Sequence, residues 1–238
     1  MKAMLFAAGL GSRLGELTRN APKALVTING KSILRINTEK LTSSGFDEII
    51  VNVHHFPAQV LAEIEKLKSD GLNITVSDET DLLLETGGGL YKARWFFDDK
   101  PFLVYNTDIL TDCNLTLLHG YHLERGGLAT LAVRDRPGNR MFLINNDGLL
   151  CGWQNRNTGE KIVPSSQPDD LTETGFSGIH VIDPTIFEFM KEGKYSLTTL
   201  YLELIKGNSI YTWKHNDGYW FDVGTPEILD NARKHLKI

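Results

Sequence analysis

Short apolar runs alternate with helical patterns through the first hundred residues, and this alternation limits the folds open to the chain. The predicted strands cover residues 2–6, Glu48–Val53, 73–77 and 101–105, and the predicted helices cover 32–44, Pro57–Ser69 and 88–97. Strands that alternate with helices build parallel sheets with helices on both faces. We therefore predict an α/β fold with a doubly wound, mostly parallel, Rossmann-like sheet.

After residue 108 the pattern changes and indicates shorter elements with an antiparallel insertion. The predicted elements are a helix over Leu115–Arg125 and strands over 128–133, 141–144 and 149–153. The polar stretch 155–170 contains two prolines, which indicates a mobile surface loop. Pro184 and Pro226 each follow a capping residue and mark helix starts. Because the sequence contains no repeat and no linker, we expect one domain over residues 1–238.

Composition argues against several classes of function. The 25 Lys and Arg residues against 30 Asp and Glu leave a net charge of −5, whereas a nucleic-acid surface carries a basic excess. Cys113 and Cys151 lack metal-ligand spacing, so we expect no disulfide framework, no structural zinc and a reducing compartment. No apolar run approaches the roughly 18 residues of a membrane span, and the first residues lack a signal-peptide core. We expect a cytoplasmic protein without nucleic-acid or membrane partners.

A glycine-rich segment directly follows the first predicted strand. In open α/β sheets ligands bind at the carboxyl ends of the strands, so Gly9 and Gly11 fall where a ligand is expected. Without a Cβ they let a polyphosphate approach backbone N–H donors, while Arg13 and Lys23 supply a planar and a compact cation. The pattern predicts a nucleoside triphosphate site. Its predicted residues are Ala8, Gly9, Gly11, Ser12, Arg13 and Lys23.

Three other interpretations fit parts of the same region less well. A Rossmann fingerprint would need its third glycine one position before Gly15 and a helical run directly after it. Gly30-Lys31-Ser32 ends like a phosphate-binding P-loop, but the upstream glycine of that motif would fall at Leu25. A purely structural glycine-rich turn stays open, although such a turn has no need for the two cations.

A family resemblance begins with the run Ala7-Ala8-Gly9-Leu10-Gly11-Ser12-Arg13 and with Pro22-Lys23, which together are similar to the signature of sugar-1-phosphate nucleotidyltransferases. The blocks 84–89 and 220–225 resemble further motifs, in particular of members that join UTP to N-acetylmuramate 1-phosphate. The resemblance spans nearly the whole chain. It implies the nucleotide-diphospho-sugar transferase fold, and nucleotide sugar biosynthesis for the cell wall from a nucleoside triphosphate and a sugar 1-phosphate.

Two aspartates end separate apolar strands. Asp108 lies just beyond the strand 101–105, and Asp222 follows an aromatic run. Mg²⁺ is commonly held by one or two carboxylates plus substrate phosphates. Either aspartate alone would favour a helix cap or a turn, and it is their joint occurrence with the glycine-rich loop that favours metal binding. The resemblance implies that the two are the family's metal-binding pair, with Mg²⁺ as cofactor. It also implies that Arg13, Lys23 and Asp108 are the catalytic residues.

Three consecutive glycines, 87–89, lie between the third predicted strand and a predicted helix. The resemblance implies that this segment contacts the nucleobase, since bare backbone lets a flat base lie against it, and a helix-start turn is the structural alternative. Asn52, near the end of the second strand, would bond the same base or cap the strand. The predicted substrate-binding residues on this side are Asn52, Glu85, Thr86, Gly87, Gly88 and Asn106.

The acceptor side is also implied by the resemblance. Glu173, Ser177 and Gly178 lie in the segment that contacts the acceptor sugar in the family. Many relatives carry a Glu-Lys-Pro whose lysine holds the sugar phosphate, whereas residues 152–155 of this chain are Gly-Trp-Gln-Asn, with Lys161 displaced. How the acceptor phosphate is held therefore stays open.

The implied reaction is an in-line attack by a sugar 1-phosphate oxygen on the α-phosphorus of the triphosphate, with release of pyrophosphate and no covalent enzyme intermediate. UTP with an N-acetylmuramate-type acceptor is the predicted substrate pair. A GTP-dependent enzyme for mannose or heptose 1-phosphate is the alternative within the family. A non-catalytic nucleotide-sugar sensor is the alternative outside it, and such a sensor would be expected to lack one of Arg13, Lys23, Asp108 and Asp222.

Overall fold

The computed structural model describes residues 1–9, 11–164 and 170–236. The strands are β1 (Lys2–Phe6), β2 (Thr27–Ile28), β3 (Lys31–Ser32), β4 (Glu48–Val53), β5 (Ile74–Asp78), β6 (Phe102–Asn106), β7 (Ile109–Thr111), β8 (Ala129–Arg134), β9 (Arg140–Ile144), β10 (Leu150–Asn155), β11 (Glu160–Ile162), β12 (Thr172–Ile182), β13 (Ile210–Lys214) and β14 (Trp220–Asp222). The α-helices are α1 (Ile33–Ser43), α2 (Pro57–Ser69), α3 (Glu85–Lys92), α4 (Leu115–Arg125), α5 (Leu197–Leu204) and α6 (Pro226–His235). None of the helices in these ranges is long and apolar enough to cross a membrane.

Ten of the strands form one mixed sheet. Its main order is β11-β10-β9-β12-β6-β1-β4-β5, with β8 paired to β12 and β13 paired to β8. The four strands β5, β4, β1 and β6 are parallel, and β12 runs antiparallel to β6. Strand order reverses between β1 and β6, and in such sheets a crevice opens at that point. The predicted α/β fold and its antiparallel insertion, β9 to β11, are confirmed.

Helices cover both faces of the sheet. Successive side chains of a strand point to opposite faces, and β1 shows this directly. Leu5 lies in a buried cluster with Leu34 of α1 and Val60 of α2. Met4 lies in a second buried cluster with Leu90 of α3 and other apolar residues. The apolar run of β1 is therefore buried from both sides, as a central parallel strand requires.

The C-terminal helix packs back onto the N-terminal part of the chain. Leu229 of α6 lies in a third buried cluster with Leu14 and Val223. The Arg233 guanidinium donates to the carbonyl of Thr27 at 3.1 Å. Helix α6 therefore packs against β14 and the residue that follows it.

Several predicted elements have the bounds that the sequence suggested. Strand β4 and helices α2 and α4 begin and end at the predicted residues. Asp183 accepts a hydrogen bond from the Thr185 N–H and Thr225 accepts one from the Ile228 N–H. Both predicted helix starts are confirmed, although the first opens a short 3-10 helix, Pro184–Phe189, rather than an α-helix.

Two predictions were wrong in part. Helix α3 begins at Glu85 rather than at residue 88, so the three glycines lie inside it, and it ends at Lys92 before a 3-10 turn. The stretch 155–170 is not a loop throughout, because Glu160–Ile162 pairs with β10 as strand β11. Residues 165–169 lie outside the described residues. In both places packing and strand pairing outweigh local composition.

Candidate active site

A cavity of about 380 Å³ opens at the carboxyl ends of β1, β4 and β6. Phe6 lies opposite Asn52 on one side and Asn106 on the other in the register of these strands. The segments that follow the three strands therefore meet in one place, which we call the first cavity. The predicted residues that line it are Ala8, Gly9, Lys23, Asn52, Glu85, Thr86, Asn106 and Asp108.

The two glycines of the loop after β1 have different surroundings. Gly9 lines the first cavity, and a Cβ built on it would meet nothing within 4 Å. Its missing side chain therefore leaves open space beside the cavity. Gly11 has a φ of +66°, and a Cβ there would lie 2.9 Å from the Cβ of Lys23. Gly11 thus lets the loop turn and pack against the lysine, as a residue without Cβ can.

A buried carboxylate that the sequence analysis missed, Glu79, supports this loop. Asn52 Nδ2 donates to Glu79 Oε1 at 2.7 Å, while Asn52 Oδ1 accepts the Ala7 N–H at 2.8 Å. The Leu84 N–H donates to Glu79 Oε2 at 3.4 Å. Burial raises the pKa of Glu79. Asn52 lines the cavity, and both of its side-chain atoms bond protein groups, so it joins the loop to the segment before α3.

Lys23 and Asp108 form an ion pair at the edge of the first cavity. Lys23 Nζ lies 2.6 Å from Asp108 Oδ2, and the side chains are 11% and 29% exposed. Asn37 Nδ2 donates to the Thr107 carbonyl at 2.6 Å, which holds the segment that carries Asp108. A compact cation and a carboxylate therefore lie together where the sequence predicts the triphosphate.

Strands β7 and β14 bring the second aspartate beside the first. Asp222 lies opposite Ile109 in this antiparallel ribbon, and the Val223 N–H donates to the Asp108 carbonyl at 2.9 Å. Burial, followed by the charge of Asp108, raises the pKa of Asp222. Asp222 Oδ1 is buried and has no hydrogen-bond partner among residues 1–9, 11–164 and 170–236.

This pair fits the divalent metal that the sequence predicts. Mg²⁺ prefers carboxylate oxygens and takes further ligands from substrate phosphates and water. A cation held by Asp108 and Asp222 would satisfy the unpartnered oxygen and offset the repulsion between the two carboxylates. Within the described ranges no three His, Cys, Asp or Glu side chains are grouped for a metal. Such a site would therefore depend on substrate oxygens to complete it.

Arg13 approaches Asp222 from the glycine-rich loop. Its Nη2 lies 3.8 Å from Asp222 Oδ1, longer than a hydrogen bond, and the arginine side chain is 65% exposed. A Cβ on Gly224 would lie 2.6 Å from the same Nη2, so this glycine leaves the space that the guanidinium takes. Neither Arg13 nor its neighbour Ser12, which is exposed, lines the first cavity. The cation therefore lies beside Asp222, outside the lining of either cavity.

The predicted nucleobase segment divides into two parts. Glu85 and Thr86 line the first cavity. Glu85 has a φ of +60°, a backbone conformation that residues with a Cβ rarely adopt and that often marks functional sites. Thr86 Oγ1 accepts the Leu197 N–H at 2.9 Å and so ties α3 to the start of α5.

Gly87 and Gly88 are buried under the segment before α5. Their N–H groups donate to the Tyr195 carbonyl at 2.8 and 3.3 Å, and neither residue lines the cavity. A Cβ on Gly87 would lie 2.5 Å from the Tyr195 ring, and one on Gly88 would lie 2.0 Å from the Gly193 carbonyl oxygen. The space that these glycines leave is filled by protein, so their missing side chains serve the packing of α3 rather than an open face for a base.

A second cavity, of about 500 Å³, adjoins the first on the side of β12. Asn106, Asp108 and Ser196 line both, so the two spaces meet at Asp108. Asp222 and Gly178 are the other predicted residues on its lining. The two cavities together offer neighbouring places for two substrates, with Asp108 between them and Asp222 on the lining of the second.

One wall of the second cavity comes from the antiparallel insertion. Phe142, Trp153 and Ile162 lie side by side in the register of β9, β10 and β11, and all three line the cavity. Trp153 lies in the stretch 152–155, where the sequence analysis expected the family's Glu-Lys-Pro. The observed wall is apolar at this place.

The three residues predicted for the acceptor lie in different environments. Gly178 lines the second cavity and has a φ of +79°. Ser177 is fully buried, and a hydrogen bond of 2.8 Å joins its hydroxyl to His215 Nε2. Glu173 is paired with Arg156 on the insertion and lines neither cavity. Only Gly178 of the three is therefore placed at the cavity surface.

Comparison with known proteins identifies the family of the chain. Residues 2–237 match the family model described as Nucleotidyl transferase. The chain belongs to this family. The nucleotidyltransferase is 29% identical over 238 residues to the N-acetylmuramate alpha-1-phosphate uridylyltransferase of Neisseria meningitidis, with 98% of this chain and 97% of the relative covered.

A second relative and a solved structure agree with this assignment. The nucleotidyltransferase is 28% identical over 239 residues to a UTP–glucose-1-phosphate uridylyltransferase of Synechocystis, covering 94% of its own chain but only 60% of that longer relative. A putative glucose-1-phosphate thymidylyltransferase from Bacillus anthracis superposes with a TM-score of 0.81 at 16% identity, with 100% and 97% of the two chains covered, which shows the common fold. The predicted membership of the sugar-1-phosphate nucleotidyltransferases is confirmed.

Proposed function

We propose that this nucleotidyltransferase uses Mg²⁺ to transfer uridine monophosphate from UTP to N-acetylmuramate 1-phosphate or a closely related sugar 1-phosphate. The observation that carries the proposal is the meeting of the two cavities at Asp108, with Lys23 and Asp222 beside it. A triphosphate in the first cavity and an acceptor in the second would face each other across the aspartates. Full-length similarity to an N-acetylmuramate alpha-1-phosphate uridylyltransferase supports the choice of substrates.

The chemistry is a single displacement at the α-phosphorus. A phosphate oxygen of the acceptor forms the new bond to that phosphorus, and the bond to the oxygen bridging to the β-phosphorus breaks as pyrophosphate leaves. Because the acceptor phosphate is already ionised at neutral pH, the step needs no general base. Catalysis then depends on positioning and on stabilisation of charge.

The residues around the aspartates fit these demands. Lys23 provides a point charge for the α-phosphate region, and Arg13 beside Asp222 provides a planar fork suited to the leaving pyrophosphate. Asp108 and Asp222 would hold Mg²⁺, which supplies further neutralisation of phosphate charge when bound. Gly9 leaves open space where a polyphosphate can approach the backbone.

The cellular setting is part of the same proposal. Cys113 and Cys151 are both free and buried. Unpaired thiols of this kind are usual in a reducing compartment, which supports a cytoplasmic enzyme.

A screen of the four common nucleoside triphosphates against a panel of sugar 1-phosphates, read by pyrophosphate release, tests the proposal. We expect UTP with N-acetylmuramate 1-phosphate to give the highest kcat/KM. Higher kcat/KM for GTP with mannose or heptose 1-phosphate would replace the substrate pair and leave the reaction class intact. Binding of nucleotide sugars without pyrophosphate release from any pair would instead favour the sensor alternative.

A further inference from the structure

The charges around the second cavity pose a problem for an anionic acceptor. Its lining includes three carboxylates and two arginines. The carboxylates are those of Asp108, Glu160 and Asp222, and the arginines are Arg136 and Arg140. A phosphate monoester brings a charge of roughly −1.5 to −2 at neutral pH. Next to Asp108 and Asp222 such a group is repelled unless a cation lies within reach. The lysine that serves this purpose in many relatives is missing from its motif.

Arg136 lies close to the place where the acceptor phosphate must react. It follows β8, and its guanidinium carbon lies 5.0 Å from the centre of the Trp220 ring. Trp220 and Asp222 are two residues apart on β14, so their side chains share one face of that strand. The Arg136 guanidinium therefore lies over the face of β14 that carries the Asp222 carboxylate.

The surrounding backbone is shaped to this side chain. Arg136 Nη2 donates to the Phe176 carbonyl at 3.1 Å. A Cβ on Gly175 would lie 2.6 Å from Arg136 Cγ and 2.7 Å from its Nε, and one on Gly138 would lie 2.9 Å from Nη1. Two glycines thus leave the space that the arginine occupies. The carbonyl and the Trp220 ring restrict the guanidinium plane, and a guanidinium has five N–H donors, so donors are left for a ligand.

Arg140 has a different setting. It is exposed at the start of β9, and it shares with the exposed Glu160 a row of the insertion, since both pair with Asn155. Arg136 is the half-buried one of the two, and it is the one in contact with the ring beside Asp222.

We propose that Arg136 binds the phosphate of the acceptor sugar 1-phosphate, in place of the lysine that the Glu-Lys-Pro motif supplies in relatives. This rests on the proposed function, because it assigns the second cavity to the acceptor. A planar fork of donors grips two phosphate oxygens at once, which a lysine cannot do. Arg136 thereby orients the attacking oxygen toward the aspartates.

Steady-state kinetics of Arg136→Ala, Arg136→Lys and Gly175→Ala test the proposal, with Arg134→Ala as the matched control. Arg134 lies two residues earlier, lines neither cavity, and donates to the Asn216 carbonyl. Loss of a charged, bidentate contact should raise KM for the sugar 1-phosphate about 10- to 100-fold in Arg136→Ala, with KM for UTP changed less than about threefold. Arg136→Lys should recover part of the loss. Gly175→Ala should act in the same direction, because the new methyl group displaces the arginine without removing its charge.

Three outcomes would overturn the proposal. In the first, KM for the sugar 1-phosphate is the same in Arg136→Ala as in the parent enzyme. In the others, KM for UTP rises in parallel with it, or Arg134→Ala shows the same rise in KM for the sugar 1-phosphate. A rise in KM for the sugar 1-phosphate that is confined to Arg140→Ala would move the role to that residue.

Calorimetric binding of the sugar 1-phosphate separates this inference from the reaction itself. If the parent protein binds the sugar phosphate through Arg136 but releases no pyrophosphate, the proposed function fails and the inference stands. If the parent binds none, the inference fails too.

Discussion

The Lys23 ammonium lies 2.6 Å from the carboxylate of Asp108, a residue that lines both cavities. This contact holds the first aspartate in place, while the second, Asp222, keeps a buried oxygen without a hydrogen-bond partner in the described parts of the chain. Before any substrate is present, the Asp108 carboxylate is therefore paired with an ammonium group, whereas the Asp222 carboxylate has a buried oxygen that accepts no hydrogen bond from the described residues. Removing one or the other should have different effects on stability and the same effect on turnover.

Asp108→Asn and Asp222→Asn should each lower kcat by about 10² or more, because each loses ligand charge while keeping its shape. Asp222→Asn should also retain or raise the melting temperature, since burial and the charge of Asp108 disfavour the ionised Asp222 carboxyl. Pyrophosphate release over a Mg²⁺ series and thermal melts provide the measurements. The exposed Asp147→Asn is the control. Near-normal turnover of both variants at saturating Mg²⁺ would contradict the metal assignment.

Arg13→Ala should lower kcat by about 10² with little change in melting temperature, because the side chain is largely exposed and lies beside Asp222. Arg13→Lys should recover only part of the rate, since a point charge does not reproduce a bidentate grip. Gly224→Ala offers an independent check, as its methyl group would meet the guanidinium. Full activity of the lysine variant would mean that Arg13 has only a structural role.

Gly9→Ala and Gly88→Ala should separate a ligand-facing glycine from a packing glycine. Gly9→Ala has open space around its new methyl group, so the fold should be kept while KM for the triphosphate rises about tenfold. Gly88→Ala would place a methyl group on the Gly193 carbonyl and should cost about 2 kcal/mol or more of unfolding free energy. Denaturant unfolding and triphosphate kinetics on both variants decide the matter. The opposite pattern would show that the base lies against α3.

Acidification should destabilise the fold below about pH 6.5, because three histidines are buried in the neutral form. Burial lowers the pKa of His180 to about 3 and that of His122 and of His215 to about 4. Above the unfolded pKa both states are neutral. Below it the unfolded chain takes up protons that the folded chain refuses, so stability falls by up to about 1.4 kcal/mol per pH unit for each histidine until the folded pKa is reached.

Denaturant unfolding from about pH 7.5 to about pH 4.5 measures this slope, and His180→Gln, which can keep a bond to the Tyr201 hydroxyl, should reduce it by about one third. A stability that stays level or rises on acidification would contradict the prediction.

The site residues that could be predicted are those whose role is indicated by residues close to them in the sequence. Gly9 and Lys23 could be placed because a strand, a bare loop and a cation follow one another, and Asp108 because it ends an apolar run. Their places at the first cavity fit that reasoning. Helix bounds such as those of α2 could be predicted for the same reason, since periodicity and caps are local.

What was missed depends on contacts between distant segments. Glu79 looks like an ordinary loop acid until Asn52 and the Leu84 N–H are seen on its two oxygens. Arg136 stands in a run of charged residues after β8, and only the fold brings it over Trp220. The glycines of α3 show the converse, because their local pattern suggests a ligand whereas Tyr195, far along the chain, occupies the space beside Gly87.

The ribbon of β7 and β14 joins two segments that are synthesised far apart in time. A growing chain has its glycine-rich loop, its lysine and its first aspartate long before the ribosome reaches Asp222, and α6, which packs behind β14, emerges later still. If Asp222 holds the proposed metal, a chain that lacks β14 lacks one of the two metal ligands. Such a truncated chain should keep Lys23 and Asp108 and yet release no pyrophosphate from the triphosphate.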